Sequence, residues 1–128
     1  MRQRVFTGAP WEKKVGYCRA IRAGSHVYVS GTAPVNPDGT THAPGDAYAQ
    51  MKKCLEIACG ALRELGAGPE HVVRTRMFVT DVKRWQEIGR AHGEVFGAAP
   101  PVTSMVEVRA LIAPDMIVEV EIDAIVGD

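Results

Sequence analysis

The sequence predicts an α+β fold in which two helices cover one face of a β-sheet, and three patterns lead to this prediction. Apolar and acidic residues alternate in two C-terminal runs, Met105–Val108 and Val118–Ile125, with a break at Pro114 between them. Such alternation is typical of strands that place one face on a core. Two other segments carry apolar residues at helical spacing. At 128 residues, the chain suits a single domain spanning 1–128.

The N-terminal half supplies a hairpin and the first helix. Short strands at Tyr17–Ile21 and His26–Ser30 flank an Ala-Gly-Ser turn, which is typical of a hairpin. Asp46 can cap a helix that runs to about Leu65, because its carboxylate can accept hydrogen bonds from the first turn. The apolar stripe of this helix consists of Met51, Leu55, Ala58 and Leu62.

The second half supplies a strand and the second helix before the two C-terminal strands. Val72–Thr80 alternates and predicts a strand. Asp81 then opens a helix that ends before Gly97 and two prolines. Its expected buried stripe consists of Trp85, Ile88, His92 and Phe96.

The strands divide their side chains between two faces. One face is apolar and suits two covering helices; it comprises Val27, Val29, Val73, Met77, Val79, Val118, Val120 and Ile122. The other mixes charged and aromatic residues: His26, Tyr28, Ser30, Arg74, Arg76, Phe78, Glu119, Glu121 and Asp123. Three carboxylates along one strand repel one another, so cations, solvent or a subunit interface must face them. A solvated face remains open, but the mixture suits a polar oligomer interface slightly better.

Charge and composition narrow the classes of function. Lys and Arg together number 15, as do Asp and Glu, so no basic excess favours nucleic acid. No apolar run is long enough to span a membrane, and Met1–Arg4 is not followed by a secretory core. Cys18, Cys54 and Cys59 lack metal or redox spacing and predict free thiols in a reducing cytoplasm. Neither the four histidines nor the glycines form a metal or nucleotide motif, so we expect no metal and no cofactor.

Several motifs together resemble the Rid family of imine and enamine deaminases, formerly called the endoribonuclease L-PSP or translation-inhibitor family. The residues that carry the resemblance occur in the family's order along nearly the whole chain: Gly16-Tyr17, Val29–Val35, Phe78–Asp81, Phe96, Met105–Val108 and Val118–Glu121. The resemblance implies one Rid-like domain with a chorismate-mutase-like fold, in which a mixed sheet carries two helices on one face. It also implies a homotrimer whose sheets pack at the centre, with small-molecule clefts between subunits.

The resemblance also implies roles for individual residues. Members that hydrolyse 2-aminoacrylate-derived imines use a late-strand glutamate to position water, and a tyrosine and a Ser-Gly backbone line the pocket. Here Tyr17 matches the tyrosine and Ser30-Gly31 match the pair. Glu119 is the best match to the glutamate, although Glu121 stays open as an alternative because the preceding loop differs in length. A structural Glu119 would instead pair with Arg74 or Arg76 of the neighbouring strand.

Thr103 is the main departure from the family pattern. The deaminases hold the substrate carboxylate with an arginine in a Pro-x-Arg-Ser motif, whereas this chain reads Pro101-Val102-Thr103-Ser104. A threonine offers one hydroxyl and no charge, so it cannot form the bidentate contact of a guanidinium. Another arginine could replace it from elsewhere in the fold; the candidates are Arg19, Arg74, Arg76 and Arg109.

Met105 and His92 complete the expected substrate-binding set. Met105 lies two residues beyond Thr103, and His92 stands where many family members carry an aromatic residue near the pocket. A helix histidine with a satisfied hydrogen bond is the simpler interpretation of His92.

These observations leave two classes of function. One is a cofactor-free hydrolase or deaminase that acts on a small imine, enamine or related metabolite, as in detoxification, and is not a standard 2-aminoacrylate deaminase. The other is a non-catalytic small-molecule binder or holdase that keeps the trimer. A ribonuclease is less favoured, because strand scission needs phosphate contacts that a balanced charge does not suggest.

Overall fold

The computed structural model describes residues 2–127, which fold into one six-stranded sheet with helices packed on it. The strands are β1 (Arg2–Val5), β2 (Ala20–Ala23), β3 (His26–Thr32), β4 (Val72–Val79), β5 (Val102–Glu107) and β6 (Val118–Ile125). The helices are α1 (Pro10–Val15), α2 (Ala47–Glu64) and α3 (Trp85–Phe96), with short 3₁₀ turns at Pro69–His71 and Val82–Arg84.

The sheet is mixed, as the resemblance implies. Its strand order is β1-β2-β3-β6-β4-β5, and β4 and β5 run parallel while their neighbours pair antiparallel. Parallel neighbours need a crossover connection, and α3 provides it between β4 and β5. The predicted α+β class with two long helices on the sheet is confirmed, and α1 is a short third helix.

Helix α2 forms for the reasons that its sequence predicts. The Asp46 carboxylate accepts a hydrogen bond from the backbone N–H of Ala49 at 2.9 Å and so caps the first turn. The helix buries its apolar stripe against the sheet and α3, and each predicted stripe residue is buried: Met51, Leu55, Ala58 and Leu62.

Helix α3 begins later than predicted. Asp81 caps the 3₁₀ turn by accepting from the N–H of Lys83 at 3.0 Å, and the α-helix itself begins at Trp85. Trp85 is the first residue of this helix and is 56% exposed, so its predicted place in the buried stripe is wrong. Ile88 and Phe96 are buried as predicted, and Ala91 joins them.

A bulge in β4 changes the face assignment at one position. The pairing of β4 with β6 shifts register between Val72 and Arg74, so Val73 is an extra residue in β4, and Val73 and Arg74 are both exposed instead of alternating. Val72 is buried and Val73 is exposed, which reverses the prediction for Val73. Thr75 is fully buried and takes an inward position among apolar neighbours.

The N-terminal region differs most from the prediction. Strand β1 and helix α1 were not expected, and β2 starts at Ala20 rather than at Tyr17. The chain turns at Gly16, whose φ of 89° is left-handed, so Tyr17 and Cys18 lie in the connection that follows α1. The strand predicted to begin at Met105 starts three residues earlier, at Val102.

Two further features concern the described residues as a whole. The cysteines are unpaired, with Cys54 and Cys59 buried and Cys18 half-buried. Within residues 2–127, no helix has the length and hydrophobicity needed to cross a membrane.

Candidate functional site

An open cleft of about 910 Å³ brings four of the sequence-predicted site residues together. Tyr17, Ser30, Gly31 and Glu119 line it, because the end of β3 pairs with the start of β6 and the connection after α1 runs beside them. Exposed apolar side chains from α1 and from the segment before β6 also line the cleft: Trp11, Val15 and Ile112.

Arg19 organises the polar side of this cleft. Its side chain is buried, and its Nη1 donates to the carbonyl of Gly31 at 2.6 Å and to Thr32 Oγ1 at 3.2 Å. Its Nη2 donates to the Tyr17 hydroxyl at 3.3 Å, with the guanidinium 5.4 Å from the Tyr17 ring centroid. Since Tyr17 accepts this bond, its own phenolic proton stays free for a ligand.

Glu12 balances the charge of Arg19. This buried carboxylate lies 3.7 Å from Arg19 Nε, measured to Oε2. It also accepts from the Thr7 hydroxyl at 2.6 Å and from the Thr7 and Gly8 backbone N–H groups at 3.1–3.3 Å. A buried charge needs such partners, and they fix α1 against the chain that leads into β2.

Glu119 has an environment suited to acid–base chemistry. Burial raises the pKa of the Glu119 carboxyl above its usual range, the positive charge of Arg19 lowers it in part, and Glu121 raises it further. Gly31 permits this placement, since a Cβ at position 31 would overlap the Glu119 carboxylate. Glu121 also lines the cleft, but its carboxylate lies 3.5 Å from Arg76 Nη1. Of the two arginines that a structural Glu119 could pair with, Arg76 is thus held by Glu121 and by Asp123, at 3.3 Å. Arg74 lies opposite Asp123 in the strand register, whereas Glu119 lies opposite Phe78.

The other three sequence-predicted site residues lie elsewhere in the chain. Thr103 and Met105 are on β5 at the sheet edge, and His92 is on α3 above them. Thr103 Oγ1 is 2.6 Å from Thr75 Oγ1, which is 2.8 Å from His92 Nε2. Met105 lies beside Met77 in the β4–β5 register and is half-buried. None of the three lines the cleft.

His92 packs against Phe96 and Thr75. Burial lowers the pKa of its imidazole below the usual range, and the ring lies 4.7 Å from that of Phe96, between centroids. Its hydrogen bond to Thr75 fits the simpler interpretation of a satisfied helix histidine.

Sequence reasoning missed two residues of these clusters and left a third undecided. Glu12 has no motif, and its role depends on α1, which was not predicted. Thr75 carried a usable signal, since it occupies an inward position of an alternating strand. Arg19 was one of four candidate cations, and only the fold distinguishes it by its place beside Glu119.

Within the part of the chain that the structure describes, no group of three or more His, Cys, Asp or Glu side chains comes together in a way that could hold a metal ion.

Comparison with known proteins identifies the family. The family described as Endoribonuclease L-PSP matches residues 8–126. The uncharacterized protein SCO2049 of Streptomyces coelicolor is 38% identical over 125 residues, which cover 98% of this chain and 92% of that protein.

Solved structures show the same fold. Rv2704 from Mycobacterium tuberculosis, a member of the YjgF/YER057c/UK114 family, is 45% identical with a TM-score of 0.90, covering 98% of this chain and 100% of that one. TdcF from E. coli, solved with bound serine, is 26% identical with a TM-score of 0.78, covering 87% of this chain and 88% of that one. The chain belongs to the Rid family, also called the YjgF or Endoribonuclease L-PSP family.

Proposed function

We propose that this protein is a cofactor-free hydrolase that acts on a small imine, enamine or related metabolite, in clefts between the subunits of a homotrimer. The observation that supports it is the half-buried Glu119 carboxylate beside Gly31, Arg19 and Tyr17 in an open cleft. A carboxylate with a raised pKa is a better base near neutral pH than an exposed one.

The proposed reaction uses Glu119 and Tyr17. Glu119 accepts a proton from a water molecule whose oxygen attacks the C=N carbon, while the electron pair of the C=N bond moves to nitrogen. The Tyr17 hydroxyl, oriented by Arg19, donates its proton to that nitrogen. The carbinolamine then collapses: protonated Glu119 gives its proton to the nitrogen, the C–N bond breaks to release ammonia, and the hydroxyl proton passes to the Tyr17 phenolate as the carbonyl forms, so that both side chains regain their starting protonation states. No oxidant or reductant is needed.

The subunit arrangement is supported by the separation of the two clusters. In one chain, the cleft with Glu119 and the edge with Thr103 lie at different places on the sheet. A neighbouring copy could supply its Thr103 edge to the cleft and form the second wall. TdcF was solved with bound serine, and a small polar ligand is also what we propose for this cleft.

The binder hypothesis is supported by Thr103. Threonine has no charge to attract a carboxylate, and the hydroxyl of Thr103 is already hydrogen-bonded within the protein. Weak or absent hydrolysis of 2-imino acids is therefore expected, and a protein that only binds would hydrolyse no imine at all.

The test measures imine decay with and without the protein. An amino-acid oxidase supplies 2-imino acids and an amine oxidase supplies neutral imines, so both substrate classes are covered. For any imine that the wild type hydrolyses, Glu119→Gln should lower kcat at least about 100-fold, because general base catalysis contributes ~10²–10⁴ in rate.

Glu121→Gln is the matched control, since it removes a neighbouring carboxylate of the same strand. It should keep most of the activity. Equal loss in both variants, or activity that survives in Glu119→Gln, would contradict the assignment of the base. Absence of turnover with both substrate classes would favour the binder.

A further inference from the structure

Three hydrogen-bonded groups form a chain from α3 to the exposed edge of the sheet. His92 Nε2 lies 2.8 Å from Thr75 Oγ1, and Thr75 Oγ1 lies 2.6 Å from Thr103 Oγ1. Thr103 Oγ1 also donates to the Thr75 carbonyl oxygen at 3.1 Å. Thr75 is fully buried, His92 is half-buried and Thr103 is exposed, so the chain leads from the interior to the surface.

Counting protons assigns a direction to this chain. Each threonine hydroxyl has one proton, and a carbonyl oxygen can only accept. Because Thr103 gives its proton to the Thr75 carbonyl, the Thr75 hydroxyl must give its own to Thr103. The Thr75 oxygen then accepts from His92, whose Nε2 must carry a proton. This arrangement satisfies all three contacts, and burial favours the neutral form of the ring.

Thr103 consequently has no proton to offer a ligand. Its hydroxyl donates once and accepts once inside the protein, which leaves one lone pair facing outward. A carboxylate bound at this position would face the Thr103 oxygen without a proton between them, because both groups can only accept a hydrogen bond there. An N–H or O–H group would complete the oxygen's hydrogen bonds.

We propose that His92 and Thr75 hold Thr103 as a hydrogen-bond acceptor, so that the site selects small imine or carbonyl compounds with a carboxamide or hydroxyl where a carboxylate would otherwise bind. This proposal rests on the proposed function, in which Thr103 faces the cleft of a neighbouring subunit. Thr103 is the binding residue, and His92 and Thr75 are positioning residues.

The test compares two ligands that differ only in this group. Pyruvamide and pyruvate are titrated against the assembled protein, and binding is followed by ligand-observed NMR. We expect pyruvamide to bind about 10-fold tighter or more, since an unpaired polar group in a contact costs about 1–3 kcal/mol. Thr103→Val should reduce the preference to within about threefold, because it removes the oxygen and keeps the shape.

The positioning residues have their own variants. Thr75→Val keeps the backbone carbonyl that accepts the Thr103 proton but removes the hydroxyl that fixes the Thr103 oxygen, so the Thr103 hydroxyl can turn and offer its proton to a carboxylate, and the preference for pyruvamide should narrow while Thr103 remains. Thr75→Ser restores a hydroxyl and should restore the preference, which a merely structural role would not require. Thr103→Arg should reverse the preference in favour of pyruvate.

The tautomer of His92 gives a readout without a ligand. Nitrogen-15 NMR of the imidazole should show the proton on Nε2 in the wild type. A ring protonated on Nδ1 alone would overturn the assigned direction of the chain.

The outcomes separate this proposal from the hydrolase assignment. Glu119→Gln should lower turnover at least about 100-fold, and adding Thr103→Val in this background should still narrow the preference for pyruvamide. Equal binding of the two ligands by the wild type, tighter binding of pyruvate, or binding of neither at millimolar concentration would overturn the role of Thr103. Each of these results is compatible with Glu119-dependent hydrolysis of another imine.

Discussion

At the scale of single residues, the properties of the cleft depend on how Arg19 is used. Its guanidinium gives hydrogen bonds to Gly31, Thr32 and Tyr17 and faces Glu12. Four groups of the protein thus occupy most of its donors, and its charge acts on Glu119 through space. Arg19 is better suited to orient Tyr17 and tune Glu119 than to bind a substrate carboxylate with two parallel bonds.

The raised pKa of Glu119 predicts a pH dependence of stability. In the folded protein, burial raises this pKa above the ordinary value of 4.5. The contribution of Glu119 to stability is therefore fully present below the unfolded-state pKa and is lost as pH rises through the folded-state pKa. Glu119→Gln removes this loss, so its free energy of unfolding should rise relative to the wild type between about pH 4 and neutral pH.

Urea unfolding at fixed protein concentration, repeated across this pH range, measures the effect. Glu64→Gln removes an exposed carboxylate from α2 and controls for net charge. A difference between wild type and Glu119→Gln that stays constant with pH, or that changes equally in the control, would contradict the desolvation of Glu119.

At the scale of elements, Gln50 connects α2 to the segment that leads into β6. It is fully buried, its Oε1 accepts from the Ile117 N–H at 2.7 Å, and its Nε2 donates to the Asp115 carbonyl at 2.9 Å. Glu119 follows two residues after Ile117. The helix thus fixes the start of the strand that carries the proposed base.

Gln50→Leu should destabilise the fold by about 2–4 kcal/mol, because it leaves the buried N–H of Ile117 unpaired and removes the hydrogen bond to the Asp115 carbonyl. Gln86→Leu is the matched control on the exposed face of α3, and it should change stability by no more than about 0.5 kcal/mol. Chemical unfolding of both variants measures the difference. Similar small effects in the two would contradict the role of Gln50 as a connection between α2 and β6.

The elements also show what the sequence could predict. Alternation and helical spacing are local patterns, and they located α2, β3, β4 and β6 closely. The bulge between Val72 and Arg74 leaves no local pattern in the sequence, since it depends on how β4 pairs with β6. Strand β1 and helix α1 have four and six residues, too few for a period to be recognised.

The candidate site was predictable to a similar degree. Residues in motifs, such as Tyr17 and Glu119, were found from the family resemblance, and the structure places them in one cleft. The partners that set their chemistry were not, because Arg19 and Thr75 act through contacts with residues distant in sequence. Arg19 reaches Gly31, and Thr75 reaches His92 and Thr103.

At the scale of the whole molecule, the sheet has two unlike faces. The helices cover one face, and the other leaves several apolar side chains exposed in the single chain: Tyr28, Val102, Val106 and Ile125. They lie among charged residues that partly neutralise one another, such as Arg76 with Glu121 and Asp123. A face with exposed apolar groups within a polar surround is typical of a protein interface.

This face, together with the family resemblance, predicts a homotrimer of about 40 kDa, formed from three chains of 13.8 kDa. Sedimentation equilibrium at micromolar concentration should give this mass for the wild type. Val106→Lys should weaken the assembly, because a charge on the open face would be buried without a partner at the interface. Val82→Lys is the matched control: Val82 is exposed to a similar extent, 41% against 46%, but lies outside the sheet. A stable wild-type monomer would contradict the trimer, and it would leave the Thr103 edge and the Glu119 cleft apart, so that both the subunit-cleft site and the selection by Thr103 would fail together.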